Sequence, residues 1–259
     1  MQDHIVFFSG GMSSFFTAVR AKEKYGTIRL LFTDTRYEDE DLYRFLNETS
    51  EYLDSELIQI ADGRTPWEIF NDVKFLGNSR VDPCSKILKR DLAKNWIKTN
   101  YPDAASAVLH LGMNWDEEHR LERSTRYWEP YRVEGLLTEP PYMSRDDMIK
   151  HLDLIGIKPP RLYDLGFPHN NCGGFCIKAG QAHFRLLLEK LPEKYAEAEQ
   201  EEERLRQVLD KDVSILRDRS GGKVKPLTLK EFRGRSMKDI DLFEWGGCGC
   251  FGDVPEEEL

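Results

Sequence analysis

The sequence predicts an α/β fold: a parallel sheet with helices on both faces, followed by a helical extension that carries cysteines. Three observations predict it. Short β-rich runs alternate with segments of helical spacing through the first half. The first of those runs stops at a glycine–serine turn that leads directly into a helix. The second half loses the alternation and reads as helices separated by Gly and Pro signals.

Taken in order, His4 to Phe8 is the first strand and ends at Ser9-Gly10-Gly11. Ser13 to Tyr25 has helical spacing, with Phe15, Phe16, Val19 and Ala21 on an apolar face, and Gly26 supplies a stop. Ile28 to Phe32 is a second strand closed by Thr33-Asp34-Thr35. Asp39 to Leu53 is a second helix, Leu57 to Ile60 a third strand and Val108 to Leu111 a fourth. Residues 156–160 and 166–169 read as loops. A helix is expected from Lys178 to Lys190 and another, after Pro192, to about Leu209. Ser220-Gly221-Gly222 marks a turn, and Thr228 opens a short helix over Leu227 to Arg233. Trp245 to Gly252 is too rich in Gly and Cys for regular structure. The division expected is a nucleotide-binding α/β domain over 1–168 and a cysteine-bearing helical extension over 169–259.

Composition narrows the function. Of 259 residues, 40% are apolar and 32% charged, enough to bury a core and to keep a solvated surface. No apolar run approaches the ~20 residues that span a bilayer, and no basic segment precedes a long apolar one near Met1. The expectation is therefore a cytoplasmic protein without a membrane partner. The 37 basic and 46 acidic residues give a net charge of −9, which argues against broad, non-specific binding of duplex DNA. In a reducing compartment, the clustered Cys84, Cys172, Cys176, Cys248 and Cys250 favour metal or redox chemistry over structural disulfides.

A strand, a glycine turn and a helix start make an anion site: glycines admit the backbone N–H groups, the helix N-terminus adds partial positive charge, and Ser13 and Ser14 add hydroxyls. The Walker lysine and the GxGxxG spacing are both missing. Ser9-Gly10-Gly11-Met12-Ser13-Ser14 instead resembles the PP-loop of the adenine nucleotide alpha-hydrolase-like superfamily. Further segments resemble phosphoadenylyl sulfate (PAPS) reductases. Thr33-Asp34-Thr35 is similar to their strand-end DTG, with Arg36 in place of the glycine. Cys84 to Arg90 is similar to their CC…RK segment, with Pro83 in place of the first cysteine. Gly112 to Arg120 is similar to their fourth-strand segment, with Asn114 in place of an arginine. Pro160-Arg-Leu-Tyr163-Asp-Leu-Gly-Phe167 is similar to P…LYD.GF, which precedes paired cysteines, here Cys172 and Cys176.

The resemblance covers residues 4 to 180. It implies a Rossmann-like, HUP-type sheet with the nucleotide at its carboxyl edge. It implies nucleotide contacts from Ser9, Gly10, Gly11, Met12, Ser13, Ser14, Thr33, Asp34, Gly112 and Glu117. Candidates for catalysis are Ser13, Lys89 and Arg120, a hydroxyl donor and two cations to offset charge as pyrophosphate leaves. Arg123 is a further cation for that role, Lys86 and Arg90 either touch phosphate or form a solvated basic face, and Glu117 orients Arg120 or holds Mg2+. The run Asp116 to Arg126 also reads as a charged surface helix, and His110 as a strand residue packed near the core. The reductases' Glu-Cys-Gly-Leu-His tail has no counterpart, since Gly247-Cys-Gly-Cys-Phe251 is different.

The expected cofactors are ATP with Mg2+, and Zn2+ or an iron–sulfur cluster. Zinc would use Cys172, Cys176, Cys248 and Cys250. A cluster would use Cys84, Cys172, Cys176 and one tail cysteine, and His169 or His183 are spare ligands. The leading expectation is ATP cleavage between the α and β phosphates to adenylate an acceptor, a small molecule or a nucleic-acid base, for sulfur or nitrogen insertion. The alternatives are a sulfonucleotide reductase and a non-catalytic nucleotide sensor with a structural metal.

Overall fold

The computed structural model describes residues 2–78, 80–219 and 223–247. Its sheet has five parallel strands: β1 (Asp3–Phe7), β2 (Arg29–Asp34), β3 (Glu56–Ala61), β4 (Ala107–His110) and β5 (Arg132–Glu134), in the order β3-β2-β1-β4-β5. The chain winds outward from β1 to β3, then returns to the other side of β1. The order therefore reverses between β1 and β4, and in such sheets a crevice opens at the carboxyl ends of those strands.

Both faces are covered. Val6 and Phe8 point to one side, where they meet Phe15 and Phe16 of α1 (Met12–Tyr25) and Phe45 and Leu46 of α2 (Glu40–Tyr52). The intervening Ile5 and Phe7 point to the other, against Ala93, Ile97, Tyr127 and Trp128. That face is built after α3 (Pro66–Asp72) and α4 (Pro83–Ser85), by α5 (Leu92–Asn100) and α6 (Glu118–Trp128). Strand side chains alternate, so a sheet covered on both sides needs apolar residues at successive positions, as Ile5-Val-Phe-Phe8 supplies.

The rest is more helical: α7 (Arg145–Leu154), α8 (Arg161–Asp164), α9 (Gln181–Lys190), α10 (Pro192–Leu209), a hairpin of β6 (Leu216–Asp218) with β7 (Lys225–Leu227), and α11 (Leu229–Arg233). Pro192 opens α10, because the first helical position needs no N–H donor. Thr228 caps α11 through a reciprocal box with Glu231. Glu202, buried on α10, accepts from the Ile215 and Leu229 amides at 2.8 and 2.6 Å, so one carboxyl ties the hairpin and α11 to α10. One apolar cluster crosses residue 168: Trp67, Phe70 and Leu88 pack with Phe167, Phe175, Phe184 and Tyr195.

The chain just before the cysteine-bearing end is docked. Gly180 and Ala182 donate to the carbonyls of Trp245 and Glu244, both at 3.0 Å, and Gly246 bridges to Ala179. Cys248 and Cys250 lie outside the described residues, as does Ser220-Gly221-Gly222. Among the described residues, no helix is long and apolar enough to cross a membrane.

Candidate nucleotide site

A crevice of about 410 Å3 opens where the strand order reverses. Its floor is the end of β1, the start of α1 and the chain after β4: Phe7, Ser9, Gly11, Ser13, Ser14, Leu111 and Gly112. Gly10 has φ +76°, and a Cβ there would sit 2.8 Å from Leu42 Cγ. Gly112 is required for a different reason: a Cβ would lie 2.8 and 2.9 Å from Cα and N of Ser14, backbone that cannot swing aside. The two glycines press the β4 end against the first turn of α1. Gly11, the N-cap, supplies no side-chain cap. Ser14 Oγ donates to the Gly11 carbonyl at 2.8 Å rather than capping an amide. The first-turn amides of a 14-residue helix are thus left for an anion.

The walls come from two later segments. Asn114, Asp116, Glu117 and Arg120 form one. Glu117 accepts from the Asn114 amide at 3.0 Å and pairs with Arg120, so Glu117 positions the arginine. Tyr163 and the strap Pro168-His169-Asn170-Asn171 form the other. Asn170, almost fully buried, donates to the Gly10 carbonyl at 3.3 Å, fastening the strap to the loop. Arg161 holds the base of this wall: its guanidinium forms two 2.8 Å bonds to Asp39 at the start of α2. Burial, aided by the His183 ring stacked on it and by Lys89, pushes His169 down to about 3, so it is neutral at pH 7.

Of the expected nucleotide contacts, Ser9, Gly11, Ser13, Ser14, Gly112 and Glu117 line the crevice, as does Arg120. Gly10 shapes it from behind, and Met12 is buried in the core under α1. Thr33 and Asp34 do not line it. Asp34 is buried and saturated: it accepts from the Arg36 amide (2.8 Å), Tyr43 (2.9 Å) and Gln59 (2.9 Å). Lys89 does not line it either. The segment Lys86–Asp91 is a π-helical run that turns Lys89 and Arg90 inward, Lys89 to Glu38 at 3.6 Å and Arg90 to Asp82 at 3.7 Å. Neither forms part of a solvated basic face.

Cys84, Cys172 and Cys176 meet around a separate, small apolar cavity of about 20 Å3 with Pro66, Phe175 and Ile177. Cys172 has φ +52° and its amide donates to Glu38 Oε2 at 2.5 Å. Glu38 therefore joins Lys89 to the cysteine turn, two residues past Asn170. Among the described residues no three His, Cys, Asp or Glu side chains converge as metal ligands. His183 Nε2 lies 2.7 Å from the Gly174 carbonyl, which leaves its Nδ1 without a hydrogen-bond partner among the described residues. His110 is buried in the sheet, 3.0 Å from His4, as its strand position predicts.

The residues missed from sequence are the strap 168–171, Tyr163 and Asp116. The strap's signal was its place directly after the Leu-Tyr-Asp…Gly-Phe segment and before Cys172. Among solved structures, the chain is similar to the phosphate complex of phosphoadenylyl-sulfate (PAPS) reductase from Candida auris, with 12% identity and a TM-score of 0.42 over 64% of this chain and 77% of that one. No family model and no curated protein matches.

Proposed function

We propose that the crevice binds ATP with Mg2+ and cleaves it between the α and β phosphates, transferring the adenylyl group to an acceptor. The observation that carries this reading is the uncapped start of α1 at the point of strand reversal, with Gly10 and Gly112 holding the backbone close. There the amides of the first turn and the hydroxyls of Ser9 and Ser13 take the β and γ phosphates. Arg120, oriented by Glu117, offsets the charge of departing pyrophosphate. Glu117 and Asp116 are the carboxylates on hand for Mg2+. Neutral His169, on the facing wall, is a hydrogen-bonding group for the acceptor.

A second reading, sulfonucleotide reduction, uses the same crevice and needs a thiol in it. The described cysteines line a different cavity, so the thiol would come from Cys248 or Cys250. A metal on Cys172 and Cys176 would likewise recruit that pair, and would serve to staple the chain end. Pyrophosphate release from ATP and sulfite release from PAPS with thioredoxin, measured side by side, separate the readings. Pyrophosphate without sulfite supports adenylyl transfer, sulfite supports reduction, and nucleotide binding without either product supports a sensor.

A further inference from the structure

Beside the crevice, two aromatic rings stand in solvent. Trp115 is 53% and Tyr142 58% exposed, and their ring centroids lie 5.9 Å apart at 48°. A single exposed aromatic residue is ordinary, but a mutual pair carried next to a crevice wall is a surface of the kind that binds flat ligands. Trp115 stands between Asn114 and Asp116, both in the crevice wall.

Both rings are carried on fixed backbone. The turn holding Trp115 is closed by the Glu117 carboxylate on the Asn114 amide. The strap leading to Tyr142 is clamped to α1 by Arg20, which donates to the carbonyls of Leu136 (2.6 Å), Glu139 (2.9 Å) and Pro141. The same helix that presents its N-terminus to the crevice thus fixes the position of the second ring. Rings already held in place bind with little further loss of conformational freedom.

We infer that Trp115 and Tyr142 form a stacking platform for a planar heteroaromatic ring whose reacting end lies in the crevice. This rests on the nucleotide reading above and adds the ring. The ring is either the adenine of the nucleotide or part of the acceptor. The flanking turn and helix mix Asp116, Glu117, Glu118 and Glu122 with Arg120, Arg123 and Arg126. Such a surface offers no continuous basic track for a phosphodiester strand, so the occupant is a small molecule.

The test compares wild type with the Trp115→Ala/Tyr142→Ala double variant. Both positions are exposed, so thermal unfolding should be unchanged. Calorimetry is run with ATP, with tripolyphosphate and, on ATP-loaded protein, with the neutral purine caffeine. Stacking on such rings is worth about five- to hundredfold in affinity. Tripolyphosphate should bind both proteins equally, while ATP or caffeine weakens by about that factor, and Trp115→Phe should retain most of the binding. Loss on ATP assigns the ring to adenine, and loss on caffeine alone assigns it to the acceptor. Unchanged binding of both overturns the platform. Salt-steep capture of a single-stranded oligonucleotide that needs both rings overturns the small-molecule assignment. If wild type binds neither ATP nor tripolyphosphate, the nucleotide reading falls, and caffeine on the free protein decides the platform by itself.

Discussion

Successive parts of one chain segment line the crevice, at 168–171, and the cysteine cavity, at 172–178, and the two are built in different ways. The crevice has a glycine-rich floor and polar side chains on its walls, and the amides at its floor have no side-chain cap. The cysteine cavity is apolar and about one-twentieth the volume. Glycine builds the first, by letting two chain segments approach. Long-range packing builds the second, by bringing residue 84 to 172 and 176. On the function proposed above, the crevice binds the ligand and the cysteine cavity contributes to stability. Glu38 is the hinge between the assignments, because it holds both buried Lys89 and the Cys172 amide.

The largest effect is expected at the crevice. Gly10→Val forces a branched side chain into a positive-φ position against Leu42 and should abolish ATP binding. Circular dichroism and metal content serve as controls for the rest of the fold. ATP affinity within a few-fold of wild type would mean that the loop is only a turn.

Glu38→Gln is next. It removes the Glu38 charge from beside buried Lys89 and loosens the cysteine turn, and should cost on the order of 1–3 kcal/mol in chemical denaturation. It should also weaken ATP, through the strap and Asn170. A stability loss with unchanged ATP affinity would show that the two cavities are independent.

A smaller effect concerns pH and the C-terminal helices. Burial pushes Glu202 up to about 7, from an ordinary value of 4.5. The folded state holds that proton more tightly than the unfolded one. Its contribution to stability is therefore full below about pH 4.5 and is lost as pH rises through about 7. The expected decline is on the order of 2–3 kcal/mol. Denaturant titrations at pH 5 and pH 8 should show it in wild type, and a much flatter dependence in Glu202→Gln. Equal slopes would remove Glu202 as the titrating anchor.

The smallest effect on nucleotide is expected from the thiols. Cys84→Ser and Cys176→Ser should leave ATP affinity within about twofold while lowering stability by about 1 kcal/mol or more. Elemental analysis of protein purified without oxygen then reports zinc, or iron with sulfide. Cys248→Ser should lower whichever metal is found, and metal content indifferent to Cys248 and Cys250 would free the chain end from that role.

What was legible in the sequence follows the same divide. The strand–glycine–helix unit is local, so Ser9 to Ser14 can be read directly, and Gly112 follows from the fourth strand end. That Lys89 and Asp34 sit away from the crevice lining was not legible, because partners distant in sequence hold them: Glu38, and Gln59 on the neighbouring strand. No local pattern announces a π-helical run that turns two cations inward. Short β5 and the β6–β7 hairpin, three residues per strand, carry too little alternation to be seen. The wall formed by Pro168 to Asn171 exists only because Arg161 and Asn170 reach back to Asp39 and Gly10.

The most direct test of the central claim is the amide spectrum of isotope-labelled protein titrated with ATP and, separately, with tripolyphosphate. The arrangement at α1 predicts that the backbone amides of Met12, Ser13 and Ser14 shift most with both ligands, saturating together with the calorimetric binding. ATP binding at saturation with those amides unmoved, and the largest shifts elsewhere in the chain, would contradict it.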